Sequence, residues 1–315
     1  ALPAQVETSA AIEARLGLRP GWIRRHTGIS ARHRAGPQDT TSSLAASAVL
    51  AACRDARIQA DDLDAVIHAA SCPEQLIPCT AALVAGRLGL DARSCWDVNA
   101  TCLSFLVALD HAAMLVAAGR HRRVAVVSAE ISSPGLDWSQ PASAVLMGDA
   151  AAAAIVGPSS GPSRINPLTL RTFPAGADLA VVRGCGTRHP PNAAGTTEAH
   201  NRFRMDGPRL FRFAARHAGQ VVADHLAGVG WTPSDLDVVV PHQASAHAIH
   251  SVAKQCGFAD SQLVGNLDQR GNCLAASVPL LLAEACAAGS IRPGARILLA
   301  GTAAGVSIAA MTLVR

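Results

Sequence analysis

The sequence predicts an α/β fold built from two similar halves, and a weak internal repeat is the first observation behind that reading. Asp62-Leu63-Asp64-Ala65-Val66-Ile67-His68 reads like Asp235-Leu236-Asp237-Val238-Val239-Val240-Pro241-His242, at an offset of 236 − 63 = 173. Cys102-Leu103 opens an apolar helix that ends at Gly119, and Cys273-Leu274 opens one that ends at Gly289, at offsets of 273 − 102 = 171 and 289 − 119 = 170. The second observation is that the strands are continuous apolar runs alternating with helices, the pattern of parallel sheets covered on both faces. The third is bulk, since 315 residues that are 50% hydrophobic and 16% charged suffice for a large core.

Along the chain, the first half runs through a strand over 65–68, a short strand Cys95-Trp96-Asp97-Val98 and the turn Asn99-Ala100-Thr101. A helix over 103–119 follows, apolar nearly all round and therefore buried, and then a strand over 124–127. The alanine run 150–154 reads as a tightly packed strand or helix start. Gly157-Pro158-Ser159-Ser160-Gly161-Pro162-Ser163 has the composition of a connection and divides the halves at 1–160 and 161–315. The second half repeats the plan with strands over 238–240 and 297–300. The longest uncharged stretch, 297–314, is broken by Gly301, Thr302, Gly305, Ser307 and Thr312, so it reads as two buried strands around a glycine-rich loop, not as a membrane span. A pseudo-twofold axis would set the two apolar helices face to face and bring Cys102, His242 and Asn272 into one crevice.

Composition excludes several classes of function. The net charge of +4 comes from 26 arginines and one lysine, Lys254, with no basic run and 3% aromatic residues, which does not make a nucleic-acid surface. Nine cysteines, an odd number, without a secretion signal predict free thiols in the reducing cytoplasm. Residues 1–7 show no targeting segment, and the chain reads as starting inside a structural unit.

Three residues carry the chemical argument. Cys102 sits at the start of a buried helix, where unpaired N–H groups and the helix dipole would lower its pKa and expose a nucleophilic thiolate; the alternative is inert packing, the usual state of a free cysteine. His242 ends a buried strand, where side chains face the crevice, and is either an acid/base or a structural histidine. A metal site at His242, His247 and His250 is the other option, but spacings of five and three match no common zinc pattern. Asn272 precedes a helix, as an N-cap or as a donor to an oxyanion, and both roles are compatible. Gly184-Cys185-Gly186 lacks the rest of a nucleotide fingerprint, no Walker A loop or Gly-x-Ser-x-Gly elbow occurs, and Cys72 and Cys79 read as loop packing.

Together these segments resemble the thiolase superfamily, and within it β-ketoacyl-acyl-carrier-protein synthase III, along nearly the whole chain. Trp22-Ile23-Arg24-Arg25-His26-Thr27-Gly28-Ile29 is similar to the family's tryptophan and T-G-I segment, and Asp97-Val98-Asn99-Ala100-Thr101-Cys102 to its nucleophile motif. Met147-Gly148-Asp149-Ala150 resembles F-G-D-G, Pro241-His242-Gln243-Ala244 the histidine motif, and Arg270-Gly271-Asn272-Cys273-Leu274-Ala275-Ala276-Ser277 the segment G-N-T-S-A-A-S. The resemblance implies a homodimer of five-layered αβαβα fold with two pseudo-twofold-related halves; the family's usual further short strand at the start is missing from this sequence. It also implies a ping-pong reaction in which Cys102 takes an acyl group from a CoA or carrier-protein thioester. His242 and Asn272 then assist decarboxylative Claisen condensation with a malonyl thioester, without metal or organic cofactor.

The departures from the family concern the substrate. The resemblance places Trp22, Thr27 and Ser245 along the substrate path, with His26 for an arginine, Ser245 for an asparagine and His247 in the place of a nearby arginine, and the segment with Met205 and Gly207 is expected to help shape the substrate pocket. Histidine does not reproduce the bidentate phosphate contacts of arginine. Thr302, in Thr302-Ala303-Ala304-Gly305, and Ile77, in Leu76-Ile77-Pro78, each replace a phenylalanine, the second one at the partner subunit's acyl pocket. A changed acyl pocket and a non-acetyl primer are therefore expected, in specialised lipid or natural-product synthesis. The rival readings are acyl transfer to an oxygen or nitrogen nucleophile, non-decarboxylating condensation, and a non-catalytic subunit that binds acyl chains or a carrier protein. A hydroxymethylglutaryl-CoA synthase reaction would need a glutamate base, and the nucleophile segment contains none.

Overall fold

A computed structural model describes residues 1–315. The first half opens with β1 (Gln5–Thr8), α1 (Ser9–Leu16), α2 (Trp22–Thr27) and β2 (Ala31–Arg34), the two strands pairing antiparallel. Then come α3 (Thr41–Ala56), β3 (Ala65–Ala69), α4 (Thr80–Arg87), β4 (Ser94–Val98), α5 (Ser104–Ala117), β5 (Val124–Glu130), α6 (Pro141–Ala144) and β6 (Ala150–Val156). The helix α3 begins where its sequence can satisfy free N–H groups: Thr40 Oγ1 accepts from the Ser43 N–H (3.2 Å) while Ser43 Oγ accepts from the Thr40 N–H (2.9 Å). The four strands order β4-β3-β5-β6, with β3 parallel to both neighbours and β6 antiparallel to β5.

The second half contains β7 (Arg164–Ile165), β8 (Thr169–Thr172), β9 (Ala180–Val181), β10 (Arg204–Met205), α7 (Gly207–Gly228) and β11 (Val238–Pro241). It closes with α8 (Ala246–Gln255), α9 (Leu267–Arg270), α10 (Ser277–Ala287), β12 (Arg296–Ala303) and β13 (Ser307–Val314). The second sheet orders β11-β12-β13-β7, with β8 also on β13. An isolated parallel bridge between Val239 and Leu263 takes the place that β4 holds in the first sheet. The stretch 297–314 forms β12 and β13, and no helix is long and apolar enough to cross a membrane.

Apolar clusters stack these elements into five layers. Leu44, Val49 and Val84 of α3 and α4 pack on Val66 and Val127 of the first sheet. The opposite face of that sheet, through Ile67 and Val126, joins Phe105 and Leu106 of α5, Leu281 of α10, and Val240 and Leu299 of the second sheet in the largest core. Beyond the second sheet, Val222 and Leu226 of α7 cover Val239 and Leu298. The central helices α5 and α10 are apolar nearly all round because a sheet lies on either side of the pair.

The repeat is more regular than matching letters suggest. Asp64 Oδ2 accepts from the Arg123 N–H and Asp237 Oδ2 from the Arg296 N–H (2.9 and 2.7 Å), both pairs at an offset of 173 (237 − 64, 296 − 123). Ser104 Oγ accepts from the Ala100 N–H and Ser277 Oγ from the Cys273 N–H (2.9 and 3.0 Å), again 277 − 104 = 173. The pairing of Cys102 with Cys273 at 171 is therefore corrected: the structural equivalent of Cys273 is Ala100. The second helix starts at Ser277, after a 3-10 turn over Leu274–Ala276, and the helix ends differ because α5 has 14 residues and α10 has 11.

Candidate active site

The turn that delivers Cys102 is built from its own side chains. Asn99 Oδ1 accepts from the Thr101 N–H (3.0 Å), and Ser104 Oγ donates to the Thr101 carbonyl (2.6 Å) while accepting from Ala100. Thr101 adopts a left-handed φ of 52°, and the chain then presents the Cys102 side chain to a large cavity. The N–H groups of Cys102 and Ala304 hydrogen-bond the sulfur, which favours the thiolate, but burial and then the Glu130 carboxylate push the thiol up to about 12. The expected lowering of its pKa at a helix start is thus corrected. Removing water from the sulfur outweighs the two N–H groups and the dipole, and the resting thiol is neutral.

His242 follows the last residue of β11, and its N–H stays in register by donating to the Ala300 carbonyl (2.8 Å). Its neighbour on β12 has to be glycine, because a Cβ on Gly301 would lie 2.7 Å from His242 Cβ and 3.2 Å from Leu103 Cδ2. Only 6% of His242 is exposed, and burial lowers its imidazole to about 4, so the ring is neutral at pH 7. Nδ1 is buried without a hydrogen-bond partner.

Asn272 is held by the Met147-Gly148-Asp149 segment. The Gly148 N–H donates to the Asn272 carbonyl (2.9 Å) and the Asn272 N–H to the Leu146 carbonyl (2.8 Å). The two segments approach so closely that a Cβ on Gly148 would stand 2.1 Å from the Arg270 carbonyl oxygen. Asp149 anchors the segment, its buried carboxylate accepting from the N–H groups of Ala35, Ser132 and Ser133 (2.9, 2.9 and 3.1 Å). Asn272 Oδ1 accepts from the Leu274 N–H (2.9 Å). That cap uses the oxygen and leaves the Nδ2 hydrogens for a ligand.

Cys102, His242 and Asn272 line one cavity of about 1210 Å³, above the roughly 300–1,000 Å³ of most ligand pockets. Trp22, Thr27, Met205, Gly207, Ser245 and Thr302 line it as well. The hydroxyls of two of these are already engaged. Thr27 donates to the Ile23 carbonyl (2.7 Å) and accepts from the Ile29 N–H (3.0 Å), and Ser245 caps α8 by accepting from the Ala248 N–H (3.3 Å). At the rim, the exposed His26 ring stacks on Trp22 with centroids 4.5 Å apart. Ile77 is the one candidate that does not reach the cavity within its own chain; it is 86% exposed beside Leu76, at 72%. His242, His247 and His250 do not converge, and no group of three or more His, Cys, Asp or Glu side chains is arranged to hold a metal ion.

Sequence reasoning missed Glu130. It is fully buried at the end of β5, where Oε1 accepts from the N–H groups of Ser71 (2.7 Å) and Ala275 (3.3 Å), and Oε2 from that of Cys72 (3.1 Å). The carboxylate joins the loop after β3 to the turn after Asn272, across the two halves, and burial raises its pKa. With both oxygens committed to backbone donors, it ties the site together and is not a free base. The signal in the sequence was a carboxylate closing a mostly apolar strand, Val124-Ala125-Val126-Val127-Ser128-Ala129-Glu130.

Two family models match the chain, "3-Oxoacyl-[acyl-carrier-protein (ACP)] synthase III" over residues 96–173 and its C-terminal counterpart over residues 226–315. "Beta-ketoacyl-[acyl-carrier-protein] synthase III 3" of Streptomyces coelicolor is 35% identical over 314 residues, covering 99% of this chain and 94% of that protein. "Beta-ketoacyl-[acyl-carrier-protein] synthase III" of Nitratidesulfovibrio vulgaris is 38% identical over 302 residues, 94% of this chain and 91% of its own. The crystal structure of the Thermus thermophilus synthase III superposes with a TM-score of 0.92 at 35% identity, over 100% of this chain and 97% of that one. The priming β-ketosynthase of the R1128 polyketide pathway superposes with a TM-score of 0.92 at 27% identity, over 100% and 93%. Identity and coverage of this extent place the chain in the 3-oxoacyl-[acyl-carrier-protein] synthase III family, acyltransferases of the thiolase fold.

Proposed function

We propose that this acyltransferase carries its acyl group on Cys102 and extends it by decarboxylative condensation, and that Cys102, His242 and Asn272 are its catalytic residues. The observation that carries the reading is the arrangement of one thiol, one neutral imidazole and one free amide Nδ2 on a single cavity, with the N–H groups of Cys102 and Ala304 on the sulfur. In the first half-reaction the neutral thiol gives its proton to His242 as sulfur attacks a thioester carbonyl. The tetrahedral oxyanion lies against the two N–H groups. The carbon–sulfur bond to the donor breaks, the donor thiol leaves with the proton, and the acyl group stays on Cys102.

In the second half-reaction the neutral His242 ring carries its one proton on the nitrogen that faces the cavity, having changed tautomer after the first; a malonyl thioester loses carbon dioxide, and the electron pair of the broken bond becomes an enolate whose oxygen accepts from His242 and Asn272 Nδ2. The enolate carbon attacks the acyl carbonyl, the bond to Cys102 Sγ breaks, and the released thiolate takes up a proton. Splitting one carbon–carbon bond formation into two steps is the gain from covalent catalysis. No metal or organic cofactor enters this sequence.

The acyl carrier protein named in the relatives' descriptions is the partner this reading assigns to the malonyl group, with CoA or the same carrier delivering the acyl group. A non-acetyl primer is supported by Thr302 and Ile77, where the resemblance expects phenylalanines. A homodimer is supported by the exposed pair Leu76 and Ile77, which a second copy would cover. Nine cysteines, all free, fit a cytoplasmic setting. Intact-protein mass spectrometry after incubation with acyl-CoA and acyl-carrier-protein thioesters tests the reading: an acyl adduct that Cys102→Ala lacks is expected, and no adduct from any donor would overturn it.

A further inference from the structure

The cavity continues past the reactive side chains into the space between α7 and α8. From α7 it is lined by Phe211, Ala214, Ala218 and Val222, spaced three or four residues apart on one face. From α8 and its C-cap it is lined by Ala248, Val252 and Cys256 at the same kind of spacing, and Val239 and Ile308 of the second sheet form its floor. The stretch from Phe211 to Val222 spans about 16 Å at 1.5 Å per residue.

The two ends of the cavity differ in chemistry. Near the rim stand the exposed His26, Arg204 and Asp206, with Arg183 close by. At the other end Val222, Val239, Cys256, Phe258 and Leu263 come together with no charged side chain on the cavity wall. Burial raises the Cys256 thiol to about 11, so it too is neutral. Its floor and α7 wall are buried, with Ala218, Val222 and Val239 at 2%, 4% and 2% exposed, while Cys256, Phe258 and Leu263 are half-buried. A pantetheine arm has amides to pair and a phosphate to neutralise, and nothing at this end pairs with them. The alanines at 214, 218 and 248 leave room for a slender apolar chain.

We infer that the α7–α8 branch is an alkyl channel that holds the tail of a medium- or long-chain acyl group while its thioester is attached to Cys102. The inference rests on the acyl-enzyme reading of Cys102, and it adds the chain class and the place where the chain lies. Burying each further methylene in an apolar channel strengthens the long-chain complex over the short one.

The test measures the rate of acyl-Cys102 formation from acetyl-CoA and from dodecanoyl-CoA, in the wild type and in Ala218→Phe, which fills the branch away from the reacting atoms. The wild type is expected to load dodecanoyl faster than acetyl, and Ala218→Phe to lower the dodecanoyl-to-acetyl ratio at least about tenfold. An unchanged ratio, or a wild type that loads acetyl alone, overturns the channel. If Ala218→Phe does not fold, Val252→Phe on the facing helix applies the same obstruction and the same criterion. Calorimetric titration of Cys102→Ala with dodecanoic acid separates the two readings, since it requires no acyl transfer. Binding that Val252→Phe abolishes supports the channel even where no thioester acylates Cys102, and absence of binding contradicts it.

Discussion

Asn99 and Asn272 are structural equivalents at an offset of 272 − 99 = 173, each accepting at Oδ1 from the N–H two residues on, at 3.0 and 2.9 Å. In the first half the motif shapes the turn that presents Cys102, and in the second it orients the Asn272 amide toward the cavity. The cap made by Asn272 and the donor role proposed for it can therefore be separated. Asn272→Asp keeps an acceptor for the Leu274 N–H but removes the Nδ2 donor and places negative charge beside the proposed enolate. Condensation is expected to fall by about 10²–10³-fold, with acyl loading of Cys102 retained; loading and condensation rates measured on the same preparation check this.

Gly301→Ala tests the close approach of β12 to His242. The added Cβ at 2.7 Å from His242 Cβ has no space unless the ring or the strand shifts. A loss of roughly 1–3 kcal/mol in denaturant unfolding is expected, together with a larger fall in condensation than in substrate affinity. Unchanged kinetics would show that the position of His242 does not matter to the reaction.

The resting protonation states predict two pH dependences. With the thiol raised to about 12, alkylation of Cys102 by iodoacetamide is expected to be slow at neutral pH and still rising at about pH 10. A plateau near pH 8 would contradict this. His242 has its folded pKa lowered from 6.5 to about 4, so the unfolded chain binds the extra proton first. The stability this group contributes is present above pH 6.5 and is lost as pH falls toward 4, by roughly 2–3 kcal/mol. His242→Gln is expected to lose less stability than the wild type between those pH values in urea unfolding.

Glu130→Ala leaves the N–H groups of Ser71, Cys72 and Ala275 without their acceptor. At about 1–3 kcal/mol for each buried unsatisfied group, a loss of at least about 2 kcal/mol is expected, even if water enters the space. Urea unfolding monitored by tryptophan fluorescence measures it, and a variant as stable as the wild type would remove Glu130 from its role as a tie.

Much of the fold was legible because it is written in local patterns. Asp64 and Asp237 each precede an apolar strand, and those acidic turns mark the repeat directly. The helix register was misread because Cys102-Leu103 and Cys273-Leu274 match as letters, whereas the equivalence lies in side-chain bonds such as Ser104 to Ala100 and Ser277 to Cys273. The cavity was legible as far as Cys102, His242 and Asn272 end matching elements. The state of the thiol was not, because burial and Glu130 arise from tertiary contact and a helix start is only one influence on it. The α7–α8 branch escaped for a related reason: it is a space left by alanines, and no motif records a space.

The most direct test of the central claim is the stoichiometry of carbon dioxide released from a malonyl thioester against acyl groups lost from acyl-Cys102. The account predicts equal amounts in the wild type, and acyl-Cys102 that persists without release in Asn272→Asp. Loss of the acyl group to an oxygen or nitrogen nucleophile, with malonyl left intact, would contradict it.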